Sequence, residues 1–330
     1  MATIDTQLMG LTLKSPILVG SSGLTSSATA IEKLATAGAG AVVLKSLFEE
    51  QIRMNIDREA GKGGVVYGQE EVDGFISYYE RKHSVDGYHK MIRETKERVD
   101  IPVIASINAA TDKDWQRITG EIADAGADAI QLNLFVPSFG DPGVSTVIEE
   151  IYCSALRRVK EIVDIPVAVK IGSNFTNMTR ITTMLQDAGA DAIVMFNRYY
   201  QPDISLDDFS VGNAAVYSNP TEYAQALRWV ALLSSELNVP LVGATGIHDG
   251  PGLVKLLAVG APAVEVVSTV YKNGMEQIST MNTFLTRWME EKGYDAIEDF
   301  RGAANAVSQK RPDAFERVQY MKYYGDLKRS

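Results

Sequence analysis

The chain reads as short apolar runs separated by amphipathic stretches. Apolar runs of four to six residues without alternation are the mark of strands buried on both faces. They fall within 15–23, 40–46, 102–108, 129–134, 166–171, 192–197, 240–246 and 263–269. Helical patterns lie between them, for example at 111–124, 146–163, 177–188, 220–237 and 250–258. Two phrases alternate through this series. AGAGAVVLK at 37–45, AGADAIQLN at 125–133, AGADAIVMFN at 188–197 and VGAPAVEVVST at 259–269 each predict a helix end followed by a buried strand. A glycine such as Gly126 or Gly189 supplies the left-handed cap between them. VDIPVIASIN at 99–108, VDIPVAVKIG at 163–172 and NVPLVGATG at 238–246 put a proline at the mouth of a strand, where its missing N–H costs least.

Eight strand–helix units predict an α/β fold, a (β/α)₈ TIM barrel forming one domain over residues 1–330. An open doubly wound sheet can also hold eight strands, but these units repeat evenly and no GxGxxG follows the first strand. Residues 47–98 and 198–220 are too long for a single connecting helix. They are read as insertions after strands two and six that cover the active-site mouth. The tail from about residue 277 is mixed charged and helical, expected outside the barrel or in a subunit contact.

Composition acts mainly by exclusion. With 32 basic and 42 acidic residues the formal net charge is −10, which argues against nucleic acid or an anionic membrane as main partner. The single cysteine, Cys153, rules out an intrachain disulfide framework or a Cys-only metal or iron–sulfur site, and fits a reducing compartment. It falls in a helical pattern and is read as packing. No stretch resembles a membrane span or a signal peptide, so a cytoplasmic location is expected. His83, His89 and His248 lack metal-ligand spacing, so no metal is expected, and the first two are read as surface residues. Asp112 and Asp114 read as the first turn of a helix. Tyr78, Tyr79, Tyr199 and Tyr200 sit in the insertions, where they either touch substrate or pack a lid.

The chemistry of a barrel sits where its strands end. The polar residues there are Ser21, Ser22, Lys45, Ser46, Asn108, Asn133, Lys170, Asn197, Thr245, Ser268 and Thr269. Burying an ammonium is expensive without an anionic or electron-rich partner. One such lysine could simply snorkel at the rim. Two lysines and three asparagines on one mouth argue for a ligand. After strands seven and eight come VGATGIHDGPG and VVSTVYKNG. Backbone N–H groups at Gly246 and at Ser268–Thr269 would form an anion cradle where barrels commonly bind phosphate.

At these residues the chain resembles the catalytic barrel of the FMN-carrying dihydroorotate dehydrogenases, over residues 1 to about 280. SPILVGSSG resembles the family's NP-x-M-x-ASG strand, VVLKS its TKS, QLNLFVPS its ELNLSCPN and VAVKI its VKL/VKI. VMFN puts Asn197 where the family has a substrate-binding Asn, and VGNAAVYSNP resembles its GG-x-SG-x-x-IKP loop. ATGIHDG and VSTVYKNG resemble its GGI-x-x-G and GTA phosphate turns. The resemblance implies FMN contacts from Ser21, Ser22, Lys45, Ser46, Asn133, Lys170, Gly212, Thr245, Gly246, Ser268 and Thr269. It implies substrate contacts from Lys45, Asn133 and Asn197, a role in pyrimidine biosynthesis, and the homodimer common in the family's soluble class. Lys170 is the candidate for the flavin N1/O2 edge, where reduction places negative charge.

The sequence departs from the family where the proton is taken. The family's Cys or Ser base precedes the Pro of ELNLSCPN; here that position is Val136, which cannot accept a proton. Ser138 and Arg198 replace an Asn and a Ser of the family's substrate site. The catalytic base is therefore unidentified. The expectation is an FMN-binding oxidoreductase acting on CH–CH bonds of a small substrate, with dihydroorotate a poor candidate. The alternatives are an inactive FMN-binding homologue and a non-flavin barrel, such as a Schiff-base aldolase using a strand-end lysine.

Overall fold

In the computed structural model a hairpin of β1 (Thr6–Leu8) and β2 (Leu11–Leu13) precedes a closed ring of eight parallel strands. The structure describes residues 2–48, 85–108, 115–134, 136, 145–199, 201–310 and 315. The staves are β3 (Ile17–Val19), β4 (Ala41–Val43) with a short continuation β5 (Leu47–Phe48), β6 (Val103–Asn108), β7 (Ala129–Asn133), β8 (Val167–Ile171) and β9 (Ala192–Met195). After a second hairpin, β10 (Pro202–Ile204) and β11 (Val211–Asn213), come β12 (Leu241–Ala244) and β13 (Val264–Val266). β13 pairs with β3, and β4 pairs with β6 through Val42↔Val103 and Val43↔Ile104, which closes the barrel. All eight expected strand segments are present, each a little shorter than its apolar run.

The helices are α1 (Ala28–Thr36), α2 (Val85–Lys96), α3 (Trp115–Asp124), α4 (Ser145–Lys160), α5 (Met178–Asp187), α6 (Tyr223–Leu233), α7 (Gly250–Ala258), α8 (Ser268–Asn273) and α9 (Glu276–Lys292). The recurring phrases now have a structural meaning. Gly38, Gly126, Gly189 and Gly260 follow helix ends with φ of 96°, 99°, 94° and 119°, a conformation that favours glycine. Pro102, Pro166 and Pro240 donate no hydrogen bond, yet their carbonyls accept from Val42, Ile130 and Ile193 on the adjacent strand. The aspartate of AGAD ties the unit together. Asp128 accepts from Val103 N and Lys96 Nζ at 2.7 Å, and Asp191 from Val167 N and Lys160 Nζ at 2.7 Å. Each carboxylate thus joins the helix before one strand to that strand's first N–H.

The barrel interior is filled from the bottom by small and branched side chains. Leu18, Ala41, Val43, Ile104, Ala129, Ala168, Ala192, Val194, Val242 and Ala263 meet there with Leu8 and Leu13 of the N-terminal hairpin. That hairpin caps the amino ends of the strands, where the Thr6 hydroxyl donates to Pro262 O. Its two-residue turn puts both Met9 (φ 55°) and Gly10 (φ 77°) in the left-handed region, as a type I′ turn requires. α9 packs across α7, with Gln277 donating to His248 O and Asn282 to Gly38 O.

One expectation needs adjustment. His89, read as a surface residue, is buried, because α2 turns Tyr88, His89 and Ile92 toward the barrel wall. Its Nε2 lies 3.9 Å from Glu121 Oε2. The second insertion carries the antiparallel hairpin of β10 and β11. The first insertion over 49–84, with Tyr78, Tyr79 and His83, lies outside the described residues, as do Asp112, Asp114, Ser138 and Tyr200.

The aspartate ties make a direct prediction. Asp191→Ala leaves the Val167 N–H at the strand mouth without its acceptor and should cost about 1–3 kcal/mol. Asp191→Asn keeps an acceptor oxygen and should cost less. Urea unfolding with unchanged m-value measures both.

Candidate functional site

Strand alternation decides which side chains face the barrel axis. On β8 the outward set is Val167, Val169 and Ile171, so Ala168 and Lys170 face inward. On β13, Val264 and Val266 point outward and Glu265 inward. On β7 the inward set is Ala129, Gln131 and Asn133. The layer above the apolar filling is therefore polar, containing Ser106, Gln131, Lys170 and Glu265.

Lys170 Nζ lies 2.6 Å from Glu265 Oε1, joining β8 to β13 across the interior. Both side chains are largely withdrawn from solvent, at 13% and 1% exposure. Gly20 makes room for this pair, since a β-carbon there would overlap the Glu265 carboxylate. Glu265 Oε2 and Gln131 Nε2 are buried and have no hydrogen-bond partner among the described residues. Such orphans cost free energy unless a ligand or water meets them.

Directly above is a cavity of ≈ 260 Å³. Its wall includes Ser21, Asn133, Lys170, Asn197, Arg198, Val216, Ser218, Glu265 and the two turns Ala244–Ile247 and Val266–Ser268. Asn197 Nδ2 donates to Asn133 Oδ1 at 2.5 Å, which leaves the Asn133 amide N–H pair and the Asn197 carbonyl for a ligand. Thr245 and Gly246 both have positive φ, 73° and 80°, and the Thr245 hydroxyl is held by Phe196 O at 2.9 Å. Gly246 admits no side chain because the backbone of Glu222 and Tyr223 passes against it. Ser268 and Thr269 lie in the first turn of α8, so their N–H groups have no carbonyl of that helix to bond.

The expected site residues separate into groups. Ser21, Asn133, Lys170, Asn197, Thr245, Gly246 and Ser268 share the cavity wall. Ser46 stands behind Ser21 in a hydroxyl chain, 3.0 Å from Ser21 Oγ and 2.7 Å from Ser106 Oγ. Ser22 caps the short helical turn Gly23–Thr25, and Lys45 is half-buried past the end of β4; neither is in the wall. The Thr269 hydroxyl donates to His248 O, leaving only its backbone for an anion. Gly212 lies on the exposed hairpin strand β11, apart from the cavity wall.

Val136 is half-buried and packs against the core. Nearby, the buried Tyr152 hydroxyl donates to Leu134 O at 3.1 Å, and burial pushes its pKa up to about 12. Cys153 is buried in α4 with its thiol pKa raised chiefly by burial, which suits packing rather than attack. The Tyr199 hydroxyl, also shifted up by burial, donates to Asn174 Oδ1. Among the described residues no three His, Cys, Asp or Glu side chains converge as metal ligands would.

Arg198, singled out as a replacement in the family's substrate site, is joined by participants that were not among the expected site residues. Arg198 bonds Glu222 (3.1 Å), Ala215 O (2.8 Å) and Gln201 (3.2 Å), pinning the second insertion beside the cavity. Ser218 N donates to Ser268 Oγ, and Ser218 Oγ lies 3.0 Å from His248 Nε2. Glu265 escaped notice although it stands in VEVV, a carboxylate inside an apolar strand, by the same argument that singled out the lysines.

A closed α/β barrel with a polar, lysine-bearing cavity at the carboxyl ends of its strands belongs to the large class of barrels that handle small molecules there. Comparison with known proteins narrows the class. The Dihydroorotate dehydrogenase family matches residues 78–289. The chain is 28% identical over 302 residues to the "Dihydroorotate dehydrogenase B (NAD(+)), catalytic subunit" of Methanocella arvoryzae, covering 90% of this chain and 96% of that one. It is 26% identical over 316 residues to the protein of the same description from Pyrococcus abyssi, covering 92% and 100%. The chain belongs to the dihydroorotate dehydrogenase family.

His248 gives this site a pH dependence. Burial first, then the positive charge of Lys272, holds its pKa below the ordinary 6.5. The unfolded chain therefore binds the proton more readily than the folded one. Stability from this residue is present above the unfolded value and is lost as pH falls through the folded value. His248→Gln should flatten that part of the decline, read as unfolding midpoints in urea on either side of the histidine range.

Proposed function

We propose that the chain is an FMN-dependent oxidoreductase acting on a CH–CH bond of a small substrate other than dihydroorotate. The observation that carries this reading is the single cavity shared by Lys170, Asn133, Asn197 and the turns after β12 and β13. The residues fit an FMN group. The N–H groups at Gly246, Ser268 and Thr269 suit its phosphate, while Lys170 and Asn133 suit the polar edge of its ring. Bound flavin would supply the hydride acceptor. The chain's own task is to orient the substrate, with Asn197 and Asn133 offering complementary amide groups.

The same geometry weighs against a Schiff-base aldolase. Such an enzyme needs a neutral amine. Lys170 Nζ instead stands 2.6 Å from Glu265 Oε1, bridged across the interior rather than presented alone to a carbonyl carbon. Among the described residues no helix is long and apolar enough to cross a membrane.

Purified protein reconstituted with FMN should show the absorbance of bound flavin, and Ser268→Glu should weaken binding by placing a carboxylate beside the phosphate. A protein that leaves FMN free in ultrafiltration would overturn the reading. Dihydroorotate should reduce the bound flavin slowly, because Val136 supplies no general base, a contribution typically worth ~10²–10⁴-fold. Val136→Cys should restore weak activity at most, since Ser138 and Arg198 also differ from the family pattern. Rapid anaerobic bleaching of the wild-type flavin by dihydroorotate would show that another group reaches the proton.

A further inference from the structure

We propose that Glu265 is a positioning residue that sets the reduction potential of the bound flavin by cancelling the charge of Lys170. The inference rests on the flavin reading above. Glu265 is inward-facing on β13 and buried, and its Oε1 lies 2.6 Å from Lys170 Nζ. Its second oxygen, Oε2, has no hydrogen-bond partner among the described residues, and both Glu265 and Lys170 are in the cavity wall. The floor of the site is therefore a matched pair rather than a lone cation. The accommodation is built in, because only glycine at position 20 leaves room for the carboxylate.

The electrostatic consequence has a definite sign. Reduction of a bound flavin by two electrons and one proton would add one negative charge to the site. A lone Lys170 ammonium favours that charge and raises the potential. A carboxylate in contact with the same ammonium opposes it, and burial keeps water from screening either group. Glu265 thus holds the potential lower than Lys170 alone would set it, so the reduced site passes electrons on more readily. The effect requires the charge of Glu265, not merely its shape.

Glu265→Gln separates the two, since it keeps the size of the side chain and removes the charge. The potential of protein-bound FMN is measured by anaerobic titration with dithionite, which supplies the electrons, against a reference dye. Glu265→Gln should raise the ratio of affinities for reduced and oxidised FMN by at least about tenfold, or about 30 mV for a two-electron couple. Glu265→Asp, which retains the charge, should stay near the wild type. If Glu265→Gln does not fold, the same comparison is made between Lys170→Met and the double variant Lys170→Met/Glu265→Gln, where the double variant should again lie higher. An unchanged potential in a variant that binds FMN overturns the inference and leaves the flavin reading intact. Wild-type protein that binds no FMN removes the flavin reading itself, and the inference with it.

Discussion

The site depends on one constraint: a charge placed inside a barrel must meet its opposite there. Lys170 on β8 and Glu265 on β13 satisfy it at 2.6 Å across the interior. Removing either partner would strand a buried charge, a cost of about 3–5 kcal/mol, whereas the intact pair is nearly neutral for stability. Such a pair is thus poor evidence of a device for holding the fold together. The apolar layer beneath it and the closed ladder of strands already do that. Its place in the wall of the cavity puts it where a ligand would meet it. The surrounding residues are arranged around the pair, with a glycine at position 20 to admit the carboxylate.

The scaffold was legible in the sequence because its repeat is enforced by backbone geometry. A left-handed residue after each helix favours glycine, and four glycines mark it. A proline at a strand mouth costs the ladder nothing when its carbonyl still accepts, and three prolines do so. The elements that escaped are those without such backbone signatures. The N-terminal hairpin has strands of three residues, too short to show alternation, and its turn places a methionine where glycine or asparagine would have announced it. The hairpin of β10 and β11 is exposed, with Leu206 and Phe209 outward, so its apolar positions do not mark a buried face. His89 was misread because one histidine in a helix has no period; only the packing of α2 shows which way it faces.

The candidate site was legible to the extent that strands carry it. Lys170, Asn133 and Asn197 could be placed from their position at the ends of apolar runs, and the structure brings them to one cavity. Gly212 was assigned through loop resemblance instead, whereas Thr269 was placed at a strand end for its backbone N–H. One lies on an exposed strand, and the other spends its hydroxyl on His248 O. Glu265 shows the limit of reading strand ends alone. It sits three residues before Ser268, in the middle of β13, where alternation rather than termination decides its direction.

The same division separates the residues that the barrel fixes from those it leaves free to vary. The floor and the two turns after β12 and β13 are fixed by the barrel, since shifting Lys170 or Gly246 would disturb strand register or the passage of Glu222 and Tyr223. A group that binds against them is constrained by the fold itself. Val136 and Arg198 stand beyond the last paired residues of β7 and β9, where a side chain can change without moving a strand. Arg198 has taken up a structural duty there, clamping Glu222, Gln201 and the carbonyls of Ala215 and Val216. An arginine committed to four partners is not available to be exchanged for a serine without releasing the insertion. Arg198 and the segment it holds are therefore tied to the conformation of this chain's own insertion, whereas Lys170, Asn133 and Asn197 in the same wall are placed by the barrel strands.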